Sequence, residues 1–171
     1  MTQTSAHDPI AHSLDACLLL AETLRSALAD EHQALEQRDQ PLLDDAVMRK
    51  QSCIRELQDA DPRDRITRVL NDNGLSERVR ALRADGTPQA FEAALDAFAP
   101  KADLGARWGH LMRLTGECRD MNQRNGLLAT RLRTRAEQML QVIQSAAGIE
   151  TPTAVYGPDG SLSSAITRLP A

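Results

Sequence analysis

The residues of this chain with the means to do chemistry are four histidines, three cysteines and a scatter of carboxylates. None of His7, His12, His32 and His110 has an acidic residue three positions before it. The Glu-x-x-His unit with which helix bundles hold paired iron ions is therefore absent. No two of them have the spacing of a zinc-binding helix or a zinc finger, so all four read as surface or boundary residues. Asp44 and Asp45 are neighbours, and on a helix neighbours diverge by ~100° and cannot address one reacting atom. Together with Glu31 they read as solvated face. Gly157-Pro158-Asp159-Gly160 is not followed by Gly-Lys-Ser/Thr, so it reads as a turn and not as a phosphate loop. Cys17, Cys53 and Cys118 are isolated, odd in number, and on or beside apolar stripes. They suit buried small hydrophobes in a reducing compartment better than a disulfide framework. With no nucleophile–base pair in sight, the expectation is a protein without catalysis, metal or cofactor.

Asn122, Asn125 and Gly126 say more. They lie in the middle of a proline-free stretch from about Ala102 to Ala147. Leu104, Leu111, Cys118, Asn125, Leu132 and Met139 recur there every seventh residue, with Leu114, Met121, Leu128 and Val142 between them. That is the a/d seam of a long helix packed along a partner. At ~1.5 Å per residue it would span roughly 65–70 Å, too long and thin to be a core alone. Asn125 falls in the seam, where an amide costs stability unless it is paired and where polar residues fix register or partner choice. Gly126 would permit close approach of another backbone. The pair reads as a register lock or docking notch, and equally as a polar interruption facing solvent.

The elements that must position this helix are helical too. Ala and Leu dominate the apolar share, only four residues are aromatic, and no convincing period-2 strand is found. A first helix runs from Ile10 to about Gln37, with Leu14, Cys17, Leu18, Ala21, Leu24, Leu28 and Leu35 on one face. Asp39-Gln40-Pro41 breaks it. A second helix carries Leu42, Leu43, Ala46, Val47, Lys50, Ile54 and Leu57 and ends near Asp59. Asp61-Pro62 opens a third with Ile66, Val69 and Leu70 inside, stopped by Asn73-Gly74. Ser76 caps a brief turn through Val79 and Leu82. Thr87-Pro88 opens a short helix with Phe91, Ala94, Leu95 and Phe98. The predicted class is all-α: an elongated antiparallel, coiled-coil-like helical bundle over residues 1–148, with a flexible C-terminal tail over 149–171.

The net charge of −4 is unevenly spread. Residues 1–60 carry eleven acidic and five basic groups, and residues 102–146 carry four acidic and seven basic. Oppositely biased helices should pair with each other. A nucleic-acid strip along Arg131, Arg133 and Arg135 is the weaker reading, because the overall balance is acidic and no aromatic residue is interleaved. No apolar run approaches ~20 residues, so no membrane insertion is expected, and the N-terminus lacks the marks of a signal peptide. The expected location is the cytoplasm. In the tail, rich in Pro, Gly, Ser and Thr, Leu162, Ile166 and Leu169 are spaced as a short amphipathic helix that could form on a partner.

Three features together are similar to the FlgN family of flagellar export chaperones. One is the N-terminal leucine heptad helix followed by a helix with Lys50, Ile54 and Leu57. Another is Asn-x-x-Asn-Gly-Leu-Leu in the last long helix, with Asn122, Asn125, Gly126, Leu127 and Leu128. The third is Tyr-Gly-x-x-Gly in the tail, with Tyr156, Gly157 and Gly160. The 61–100 region aligns with no motif of that family. The resemblance implies a cytoplasmic bundle that binds the helical C-terminal segments of hook–filament junction proteins (FlgK-like and FlgL-like). It would prevent their premature assembly and deliver them to the flagellar export apparatus. Partner contact is expected at Asn122, Asn125, Gly126, Leu128, Leu132 and Met139 in the seam. In the tail it is expected at Tyr156, Leu162, Ile166 and Leu169. The alternative is a coiled-coil adaptor or oligomerisation module without a client-release cycle.

Overall fold

Helix α1 spans Asp8–Gln37 and α2 spans Gln40–Ala60. Between them Arg38 takes a left-handed conformation (φ 58°), and Asp39 caps α2 by accepting a 3.1 Å bond from the Leu42 amide. The break expected at Asp39-Gln40-Pro41 is a two-residue hairpin turn. Asp61, also left-handed (φ 30°), ends α2 and caps α3 (Pro62–Asp72) through a 3.1 Å bond from the Asp64 amide. Thr87 caps α4 (Pro88–Phe98) in the same way, at 3.3 Å from the Ala90 amide. Helix α5 runs Leu104–Ala146, close to the predicted limits. The structure is a computed structural model that describes residues 8–72, 77, 87–99 and 102–147, with the backbone of 154–156 and 162–164. The brief turn expected through Val79 and Leu82 lies outside the described residues.

The core gathers at one end of the α1–α2–α5 assembly. Ile10, Leu14, Cys17 and Ala21 of α1 meet Leu104, Trp108, Leu111 and Leu114 of α5. Ile66 and Leu70 of α3 and Phe91 and Leu95 of α4 close over them. This is the work of the 61–100 region that matched no motif: its two short helices supply the remaining walls. Phe91 stacks on Trp108 with centroids 5.3 Å apart, and the Arg63 guanidinium lies 4.8 Å above the Phe91 ring. A Cβ at Gly105 would stand 2.2 Å from the Asp96 carboxylate of α4, so that side chain would have to turn aside.

Inter-helix bonds set the directions. Only Arg38 and Asp39 separate α1 from α2, and the pairs Asp30–Arg49 (2.9 Å) and Glu31–Lys50 join residues at similar distances on either side of that turn, as in an antiparallel hairpin. Arg107 pairs with Asp15, Cys118 faces Ala21 and Asn125 faces Leu28, so α5 runs parallel to α1. The opposite charge bias of α1 and α5 shows in the Asp15–Arg107 pair, while Arg25–Glu117 at 3.5 Å crosses against it. On α2 the burial is narrower than expected: Ala46 and Cys53 are inside, whereas Ile54 is 39% exposed.

The chain divides into two compact units, Met1–Leu128 and Ala129–Ala171. The second holds the one departure from an all-helical chain among the described residues. β1 (Ala154–Tyr156) and β2 (Leu162–Ser164) pair antiparallel, with Tyr156 opposite Leu162. Leu162 is therefore in a strand, not on an amphipathic helix. The sequence between the strands, Gly157-Pro158-Asp159-Gly160-Ser161, is composed of turn formers, and Val155 and Tyr156 favour extended backbone. Ile166 and Leu169 lie outside the described residues.

Candidate functional site

The heptad seam of α5 is the feature on which function can be built, and its burial changes along its length. Leu104, Leu111, Cys118 and Asn125 are all 4% exposed or less. Leu132, the next in register, is half-buried, and Met139 is 58% exposed. The cause is geometric. With Leu28 opposite Asn125, α1 stops at Gln37, about two and a half turns further on, while α5 continues for almost six. Leu140, Val142 and Ile143 are each more than half exposed.

Where the buried seam ends, three helices meet in a polar layer. The Asn125 side-chain amide donates to the Leu28 carbonyl at 2.8 Å and to Glu31 Oε2 at 2.9 Å. Its oxygen lies 3.0 Å from His32 Nδ1, and that geometry requires the imidazole to donate. Glu31 Oε1 accepts from Lys50 Nζ, which also reaches Asn122 Oδ1 at 3.5 Å. Glu31 is 7% exposed, so it is not solvated face as expected. Its place was readable: residues 10, 14, 17, 21, 24, 28, 31 and 35 follow the alternating three- and four-residue steps of the seam. No buried side-chain N or O among the described residues lacks a partner. Asn125 is thus buried and bonded to α1, and the polar interruption there does not face solvent.

The notch is a different matter. Gly126 is exposed, and a Cβ there would meet nothing within 4 Å, so no segment of the described chain uses its smallness. Asn122 is exposed apart from Lys50, and Leu128 is half-buried. Two shallow cavities flank the layer. One, of about 190 Å³, lies beside His32, Met121 and Asn125. The other, of about 200 Å³, is lined by Leu24, Leu28, Lys50, Ile54, Cys118 and Asn122. Burial pushes the thiols of Cys17, Cys53 and Cys118 above the ordinary range, opposed in part at Cys17 by Arg65 and at Cys118 by Arg25. They are packing groups, not nucleophiles. Among the described residues no cluster of three or more His, Cys, Asp or Glu side chains is placed to hold a metal ion.

Among the described residues, α1, α2 and α5 meet at the Glu31–Lys50–Asn125 layer, and beyond it the α5 seam becomes exposed at Met139. The FlgN protein family matches residues 6–164. The chain belongs to the FlgN family. No curated protein and no solved structure matches it. FlgN proteins are flagellar export chaperones and not enzymes. No helix among its described residues is long and apolar enough to cross a membrane.

Proposed function

We propose that this FlgN protein works in the cytoplasm as the export chaperone of hook–filament junction proteins, FlgK-like and FlgL-like. It covers their C-terminal helical segments until they are passed to the flagellar export apparatus. The observation that carries this reading is the exit of the α5 seam from its own bundle: apolar residues in heptad register continue where α1 has ended. A client's amphipathic helix would otherwise associate with its own kind, and it can lie on such a ribbon as an added helix. In this reading Leu128, Leu132 and Met139 take the client's stripe, while Asn122, Asn125 and Gly126 set where it stops. The tail over 149–171, with Tyr156 and Leu162 opposite each other in its hairpin and Ile166 and Leu169 beyond, serves as a second contact for client or export gate.

Co-expression with the C-terminal segment of a junction protein, followed by size-exclusion chromatography, tests it. A reversible complex with one client per chain is the expected result, and failure to co-elute with any junction protein would defeat the reading. Deletion of residues 150–171 should leave helical circular dichroism nearly unchanged while weakening client capture. Full capture by the truncated chain would remove the tail from the mechanism.

A further inference from the structure

The apolar face of α5 beyond Leu128 has charged borders of one sign. At ~100° per residue, Leu132, Met139 and Ile143 fall along its centre. Arg131 and Arg135 run along the border on the side of Val142, and Arg133 stands on the other border, beside Leu140. All three arginines are exposed. The lone acid between Ala129 and Ala146 is Glu137, which is turned away from the face and bridges Arg133 at 3.5 Å. A second copy of this helix fits poorly. Antiparallel pairing sets each border against itself, and parallel pairing sets one against the other. Arginine meets arginine both ways, and like charges across a helix pair repel.

We propose that this face accepts an amphipathic helix whose apolar stripe is bordered by Asp and Glu, and that it rejects one bordered by Lys and Arg. The inference rests on the client-binding reading and specifies the chemistry of the client helix. Aliphatic contact between the two stripes supplies the adhesion. Arg131 and Arg135 supply selectivity and faster encounter, as charges at an interface rim do.

The test uses the full chain and three designed helical peptides: a leucine stripe with Glu borders, the same stripe with Lys borders, and Glu borders with the stripe replaced by Ser. Fluorescence anisotropy at low salt should rank the Glu-bordered peptide about tenfold tighter than the Lys-bordered one. The preference should reverse in R131E/R135E, whose unchanged circular dichroism confirms its fold, and the Ser-striped peptide should not bind. Equal affinity for the Glu and Lys peptides would overturn the inference. So would binding of the Ser-striped peptide as tight as its leucine counterpart, or a dimer by light scattering that M139E dissociates. A junction protein that co-elutes with both wild type and R131E/R135E, alongside peptides that show no charge preference, would sink the inference and leave the client reading standing. Loss of all junction-protein binding with the peptide preference intact would do the reverse.

Discussion

Glu31 and Lys50 are held between three helices, with side chains 9% and 18% exposed. A buried pair of this kind contributes little net stability against an apolar replacement, but removing one partner strands the other charge. Lys50→Met should therefore lower unfolding free energy by on the order of 3 kcal/mol in urea titration, and adding Glu31→Leu should restore much of the loss. A double variant as unstable as the sum of its singles would show that the two residues act separately. Gly126 makes the opposite case. An exposed helix-interior glycine with open space around its Cβ position should tolerate alanine, and Gly126→Ala should stabilise the fold by up to about 1 kcal/mol. If a client backbone approaches there, the same variant will bind client more weakly while melting higher. Unchanged client affinity would show that the glycine is no notch.

At the scale of elements, α5 is one helix in two environments. Its first half is fixed by Trp108, Leu111, Leu114 and Asn125, and its last turns have no such packing among the described residues. A helix without tertiary partners is marginal in water, so the last turns should open far more readily. Amide hydrogen exchange should be slowest around Leu111–Cys118 and at least tenfold faster around Met139–Ile143. Bound client should slow the second region selectively. Uniform protection along the free helix would contradict the view that its seam is incomplete. Met139→Ser or Val142→Ser, at exposed positions, should change stability by no more than about 0.5 kcal/mol.

At the scale of the whole molecule, the three raised thiols link folding to alkaline pH. In the unfolded chain they ionise near ~8.5. In the folded chain burial keeps them protonated to higher pH. The folded state then holds more protons between the two pKa values. Its full stability is present below the unfolded thiol pKa and declines as pH rises through the folded values. Melting temperature should fall as pH climbs above about 8.5, and a Cys17→Ala/Cys53→Ala/Cys118→Ala variant should lose part of that slope. The native thiols should also react slowly with iodoacetamide until the chain unfolds.

The sequence alone determined the class, the ends of the long helix, the breaks at Asp39-Gln40-Pro41 and Asp61-Pro62, and the capping of α4 by Thr87. These depend on local periodicity and on side chains bonding to amides a few residues away, information carried in short windows. Even Glu31 was in the register, though its acidity argued for solvent. The tertiary structure decided which polar atoms meet and where the seam is covered. That Asn125 faces Leu28 and Glu31, that Lys50 closes the layer from α2, and that α3 and α4 wall the core end depend on how helices far apart in sequence are offset. No window of neighbouring residues contains that offset. It also decided that Leu162 pairs in a strand with Tyr156, because a ladder is a relation between two segments and its partner cannot be read from the spacing within one.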